Sequence, residues 1–319
     1  MGIASKFLLF QLLIILPFVS GMVAKKLYPF KDIPGFTKRL IRVNLILVEP
    51  LIALWSTWGL TLKADLVLLP VSGVFLVTTG MAFGMAFYRI LGFSGKKGAA
   101  FLISSSLANH GFTMGAFFCY LLIGERGLGL AFLFLAYFMP YVFLVIFPYA
   151  RKVSTGQHLD LTFVWDFFLS LQNMPLFAIL LALILLAFGI KRPDVAFPID
   201  ILIIISMALY YFTLGLNFEM PAFFVLGKGD IALAGIKFIL VPSLTLLILK
   251  VLHLDPAVET VILVQAFMPA AIYSVVASVL FDLDSAFASN LFVWNTLLFL
   301  VGVLPVLFLF RNLILTLPA

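Results

Sequence analysis

Cysteine occurs once in this sequence, at Cys119, which leaves no partner for an intramolecular disulfide and too few thiolates for a zinc cluster or a Cys-x-x-Cys redox pair. Charge is scarce as well. Only 11% of the 319 residues are charged against 64% hydrophobic, usage far from that of a soluble domain. An acid pair, a metal cluster and a nucleophile beside an oriented base are all missing, so the sequence does not support an intramembrane enzyme. Asp282 and Asp284 have no second acid-rich motif to accompany them. Ser106 and His110 stand four apart on a helical face but have no orienting acid. A net charge of +6 raises the question of nucleic acid, yet the bases are scattered along connections between apolar runs, where they orient a chain in a bilayer. No nucleic-acid partner is expected. The first apolar run leads to Lys25 and Lys26 without a small-residue cleavage site and is read as a retained span.

What the sequence has in abundance is apolar runs of about 20 residues, the length that crosses roughly 30 Å of hydrocarbon as a helix. Ten can be marked off: 7–24, 42–60, 65–90, 98–122 and 128–149, then 168–189, 199–217, 231–251, 257–280 and 286–310. They predict an all-α polytopic membrane protein in contact with the lipid bilayer, with no soluble domain between spans. The longest hydrophilic connections are 25–39 and 150–165, and the second divides the chain into halves, 1–150 and 151–319, of five spans each. An odd number of spans per half gives the halves opposite orientation, the inverted repeat of many secondary transporters. Pro17 and Pro175 lie 158 residues apart and Pro140 and Pro305 lie 165 apart, each pair in matching spans. With the N-terminus outside, 13 of the 20 basic residues fall on inner connections. This predicts a multi-pass protein of the cell (inner) membrane with both termini extracytoplasmic. The first inner connection mixes its bases with Tyr28, Phe30 and Phe36, which suits either a segment on an anionic leaflet or an exposed loop.

The most polar interior stretch is Ser104 to Gly115, inside the fourth span. Ser104, Ser105 and Ser106 fit ordinary close helix packing, with hydroxyls bonded back to the preceding turn. Asn109 and His110 just before Gly111 read instead as an interrupted helix, because unsatisfied polar groups are costly in hydrocarbon unless they face protein or a wet cavity. The ninth span carries its own interruption at Pro269, which removes a donor and clashes with the carbonyl of Gln265 four residues back. Two discontinuous helices in matching positions predict a binding site near the midplane.

Asn109, Gly111 and Phe112, followed by Gly124 and Gly127, resemble the N-x-G-F segment and G-x-x-G turn of the auxin efflux carrier (PIN-like) family with its bacterial relatives. The resemblance continues through Asn173-Met174-Pro175, Leu214-Gly215-Leu216, Met268-Pro269-Ala270, Asn295-Thr296 and Pro305, and so covers essentially the whole chain. It implies broken, crossing fourth and ninth helices, a scaffold from helices 1, 2, 6 and 7, and a transport unit from helices 3–5 and 8–10 that moves as an elevator. It also implies organic anions as substrates. Two positions depart from the family pattern: Ala116 stands where a proline is expected, and a seventh-span proline is absent around Tyr210 and Tyr211. The first leaves Gly111, Gly115 and their polar neighbours to produce the break, and the second touches only the scaffold.

Outside the crossing, Glu49 lies about 10 Å into the second span, where an acid is a candidate for proton or cation coupling or a partner for Arg42. Lys237, about two turns into the eighth span, is expected to snorkel to the interface. His158 and His253 fall in connections, Asp282 and Asp284 in a solvated turn, and the 36 phenylalanines serve packing and lipid contact.

The sequence thus predicts a carrier for a small carboxylate, with a membrane sensor or a channel as the alternatives. The anion is expected on two converging half-helix N-termini, whose free N–H groups and partial positive charge need no arginine. Asn109, Gly111, Gln265 and Pro269 are the leading substrate-binding candidates, with Asn295 and Thr296 behind them. Ser105, Ser106, Asn109 and Thr113 supply oxygens that would equally suit sodium. No organic cofactor and no metal centre is expected, sodium or proton coupling stays open, and a homodimer is compatible with the reading.

Overall fold

The computed structural model describes residues 3–28, 32–157, 170–218 and 226–309. It is helical throughout, and the described residues contain no strand. The helices are α1 (Ile3–Leu27), α2 (Ile33–Val43), α3 (Glu49–Trp58), α4 (Leu68–Ile90), α5 (Gly95–Ser106), α6 (Gly115–Leu135), α7 (Phe138–Tyr141) and α8 (Phe147–Thr155). In the second half they are α9 (Met174–Ala187), α10 (Ile199–Asn217), α11 (Lys228–Gly235), α12 (Val241–Leu252), α13 (Pro256–Ala266), α14 (Ile272–Leu280), α15 (Ser285–Leu298) and α16 (Leu304–Leu309).

Four π turns link consecutive helices without ending them: Asn44–Val48, Val142–Ile146, Ile236–Leu240 and Phe299–Val303. One cause accounts for all four. Each turn is followed, one residue on, by a proline: Pro50, Pro148, Pro242 and Pro305. The ring of each clashes with the carbonyl four residues back, which lies inside the turn, and the helix widens there to accommodate it.

Seven helical stretches among the described residues are long and apolar enough to cross a membrane: Leu8–Leu27, Ile33–Trp58, Ala64–Ile90, Gly115–Thr155, Ile199–Asn217, Lys228–Leu252 and Ser285–Leu309. Met174–Ala187 and Pro256–Ala266 are shorter apolar helices. The differences from the ten expected runs have physical reasons. The fourth and ninth runs are interrupted, so their pieces are short. The fourth and fifth form one apolar stretch, Gly115–Thr155, but are divided as expected at Gly124, whose non-helical backbone (φ 71°, ψ −153°) kinks the chain and suits glycine. The sixth begins partly outside the described residues. The second starts earlier than expected, at Ile33, because Asp32 caps the helix by accepting from Gly35 N at 2.9 Å. The 33–39 part of the first inner connection is therefore helix and not loop. Phe30 and His158 lie outside the described residues.

Packing sorts the helices. Helix α1 crosses α10 at very close range through Gly21 and Gly215, where any side chain would collide with the facing backbone. Helix α3 packs on α9, and α4 on α5, where Gly80 faces the Ser105 carbonyl and Gly84 the Ser105 side chain. Buried phenylalanines fill the interior. Phe10 stacks on Phe117 at 5.4 Å between centroids, and Phe118 meets Phe308 at 5.1 Å. The outer faces keep large apolar side chains exposed, among them Leu16, Ile90, Phe188 and Val251, as a lipid-facing surface requires.

Candidate functional site

Residues 107–114 separate α5 from α6, and residues 267–271 separate α13 from α14. The two breaks meet in a short antiparallel bridge between Ala108 and Ala270. Asn109 N donates to the Pro269 carbonyl at 2.7 Å, and Ala271 N donates to the Leu107 carbonyl at 3.2 Å. Backbone groups freed from helix in one break are thus satisfied by the other, the condition for irregular backbone inside a bilayer. The pairing also fixes the helix ends. Leu107 lies opposite Ala271 and Asn109 opposite Pro269, so the start of α14 is set against the end of α5, and the start of α6 against the end of α13. The two half-helix N-termini therefore lie on either side of the bridge.

The leading candidates come together here in different roles. Asn109 is half-buried, and its Oδ1 accepts from the Thr113 hydroxyl at 3.0 Å. Half-exposed Gly111 and Thr113 lie near it in the chain, while Phe112 and Met114 between and after them are buried. The amides of Gly111, Phe112 and Thr113 have no hydrogen-bond partner among the described residues. Three successive free N–H groups are the kind of donor set that can hold an anion. Gln265 is fully buried, and its amide nitrogen donates to the His110 carbonyl at 3.2 Å, leaving Oε1 without a partner among the described residues. That bond lets Gln265 tie the ninth-span break to the fourth. Asn295 accepts from Ala270 N at 2.8 Å, while its Nδ2 and the Thr296 hydroxyl have no partner among the described residues.

The serines turn elsewhere. Ser105 donates to Phe101 O at 2.8 Å, and Ser106 donates to Val77 O at 2.9 Å and lies 3.1 Å from the Tyr141 hydroxyl. Glu49 is buried and accepts a hydrogen bond from the Tyr210 hydroxyl. No ion pair with Arg42 is found among the described residues.

Lys237 departs most from expectation. It is 3% exposed, and its ammonium donates to the Ser106 carbonyl at 3.1 Å and the Leu107 carbonyl at 3.0 Å. It does not snorkel: the break leaves carbonyls at the end of α5 without intrahelical donors, and Lys237 reaches them, sharing that of Leu107 with Ala271 N. The side chain lies in the π turn Ile236–Leu240, nine residues or about 14 Å along its helical run.

A model of the family described as membrane transport protein matches residues 164–307. Over those residues the chain is similar to membrane transport proteins. No curated protein matches it. The family match takes in the ninth-span break, Asn295 and Thr296, whereas the fourth-span break lies before it.

The departure at Ala116 from the pattern the sequence resembles is self-consistent. Ala116 N donates to the Gly111 carbonyl at 3.1 Å, a bond that proline cannot make, and this helps to hold the break without the ring. The departure at Tyr210 and Tyr211 reaches further than expected. Tyr211 donates to the Thr113 carbonyl at 2.6 Å, so the seventh span touches the fourth-span break directly. Sequence reasoning also missed Tyr137, whose hydroxyl lies 2.5 Å from His110 Nδ1 and anchors that ring.

A separate cavity of about 260 Å³ opens where the connections near Lys63, Arg126, Arg192 and Asp255 meet. Its charges are largely paired. Arg192 bonds Glu125 and lies over the Trp55 ring, and Arg126 and Lys63 both reach Asp255. Burial alone would raise the Asp255 carboxyl, but the Ala257 amide it caps, together with Arg126 and Lys63, holds it below the ordinary range. The resulting stability is present at neutral pH and is lost as pH falls through that depressed value.

Proposed function

We propose that the protein is a secondary active carrier of a small carboxylate that works by elevator-type alternating access, with the anion held at the fourth-span break. The observation that carries this reading is the run of three unpaired amides at Gly111, Phe112 and Thr113 beside half-exposed Asn109. Oriented N–H groups at the start of a helix bind anions without a fixed arginine. Asn109 supplies an orienting donor through its Nδ2, and Gln265, Pro269 and Asn295 keep the break open.

The ten-span inverted repeat is supported by matched detail. The π turns before Pro148 and Pro305 occupy corresponding spans, 157 residues apart, close to the 158 between Pro17 and Pro175. Pro148 is therefore a better counterpart of Pro305 than Pro140. In this reading α1, α3, α9 and α10 form the scaffold, consistent with their mutual packing. The seam against the transport unit is crossed by Tyr211 to Thr113, Tyr120 to Asp200 and Arg192 to Glu125. These contacts must break and re-form in each cycle. In this reading, which the distribution of basic residues supports, both termini and the 260 Å³ cavity lie on the extracytoplasmic side. Glu49, buried beside Tyr210, is the candidate for proton coupling.

The test is uptake of labelled mono- and dicarboxylates into proteoliposomes, with and without a sodium or pH gradient. Saturable uptake with counterflow is expected for at least one class. Asn109→Ala should reduce it about tenfold or more, the effect of losing one hydrogen bond to a charged group. Flux that does not saturate would indicate a channel, and binding without counterflow a sensor.

A further inference from the structure

Carbonyl oxygens at the C-terminal end of a half-helix, such as those of Ser106 and Leu107, are the groups that coordinate a metal cation in transporters with broken helices. Here they are occupied by protein. Lys237 Nζ lies 3.1 and 3.0 Å from them, and the nearby hydroxyls of Ser105 and Ser106 are engaged with other carbonyls. Among the described residues Lys237 is the only buried lysine or arginine. Two other charged side chains are buried. Glu49 belongs to the second span, and Asp230 sits at the start of α11, bonded to Gly227 N and Asn290 Nδ2. Neither faces Lys237 across a bond. The ammonium therefore stands as an unpaired positive charge on an element of the proposed transport unit, against the negative end of a helix that carries about half an elementary charge.

We propose that Lys237 is a counter-cation: it fills the position a sodium ion would take at the crossing, and its ammonium form gives the transport unit a positive charge that offsets one carboxylate. This rests on the carrier reading. With a monocarboxylate bound, the moving unit is neutral and needs no co-transported metal, and the charge moves on the empty return. A merely structural cap would satisfy the same carbonyls and would leave no electrical signature.

The experiment uses the full-length carrier in proteoliposomes with benzoate as the probe, under potassium diffusion potentials set by valinomycin. Wild-type benzoate counterflow should be insensitive to membrane potential and unchanged when choline replaces sodium. Lys237→Gln retains an amide donor for the two carbonyls but not the charge, so its counterflow should vary several-fold across about 100 mV. Lys237→Arg should restore insensitivity. As a readout that needs no transport, Lys237→Ala should unfold at a lower temperature than wild type and regain about 3 °C or more with propylammonium but not with choline. Wild-type uptake that requires sodium, or a Lys237→Gln carrier indistinguishable from wild type in potential response, overturns the proposal. If no carboxylate is transported but propylammonium rescues Lys237→Ala, the carrier reading fails while the cation requirement at the crossing stands. Absence of that rescue overturns the requirement itself.

Discussion

A methyl group added at Gly111 meets open space, whereas one added at Gly115 runs into the Gln265 Oε1 and the His110 carbonyl. The two glycines thus do different work in one break, a distinction the sequence could not express because both stand beside polar residues. Gly115→Ala should overpack the crossing and lower stability by about 1–3 kcal/mol, seen as a lower unfolding temperature. Gly111→Leu should fold normally and lose uptake, because its side chain projects into the space beside the free amides. Normal uptake by Gly111→Leu would move the anion away from them. Glu49 offers a second residue-level test. In Glu49→Gln the Tyr210 hydroxyl still has an oxygen to donate to, so binding and exchange should persist while pH-driven uptake disappears. Retained pH-driven uptake would remove Glu49 from coupling. Lys237 shows why some of the site was illegible. A lysine at its depth reaches the interface as readily as the interior, and what decides between them is a pair of carbonyls freed in a different helix.

At the scale of elements, the interruptions themselves were readable. Pro269 states its break outright, and Asn109 and His110 before Gly111 state theirs through the cost of polar groups in hydrocarbon. Their pairing was not readable, since the bonds from Asn109 to Pro269 and from Ala271 to Leu107 join positions some 160 residues apart. The order of the helix ends around the bridge, which puts each N-terminus against a C-terminus, follows from that pairing alone. The π turns were hidden for a simpler reason. A proline in a span predicts a disturbance but not its form, and only the backbone reveals a widened turn before Pro50, Pro148, Pro242 and Pro305. Ala116 gives the prediction at this scale. Proline is tolerated in the first helical turn, so Ala116→Pro should lose only the bond to Gly111 O, about 0.5–1.5 kcal/mol, and retain uptake. Loss of uptake with an intact fold would show that the break depends on that amide.

For the molecule as a whole, composition already dictated a polytopic helical protein, and hydropathy located most of the helices. Orientation rests on the distribution of bases. Cysteines placed at the exposed positions Lys96 and Lys191, in a Cys119→Ala background that removes the buried native thiol, should label from opposite sides, Lys96 from the cytoplasm. Labelling of both from outside would contradict the proposed topology. Anion binding has two rival locations in this architecture, the free amides at the crossing and the cavity near Arg126 and Arg192, and the second has the more obvious charges. The account favours the first because those arginines are already paired with Asp255 and Glu125, while the amides of Gly111 to Thr113 are not paired. The most direct measurement is the anomalous signal from crystals of the carrier soaked with a brominated analogue of the carboxylate taken up best. The account predicts bromine beside the 107–114 break, with carboxylate oxygens within hydrogen-bonding distance of the Gly111, Phe112 and Thr113 amides and of Asn109. Bromine in the cavity between Arg126 and Arg192, with the crossing empty, would contradict it.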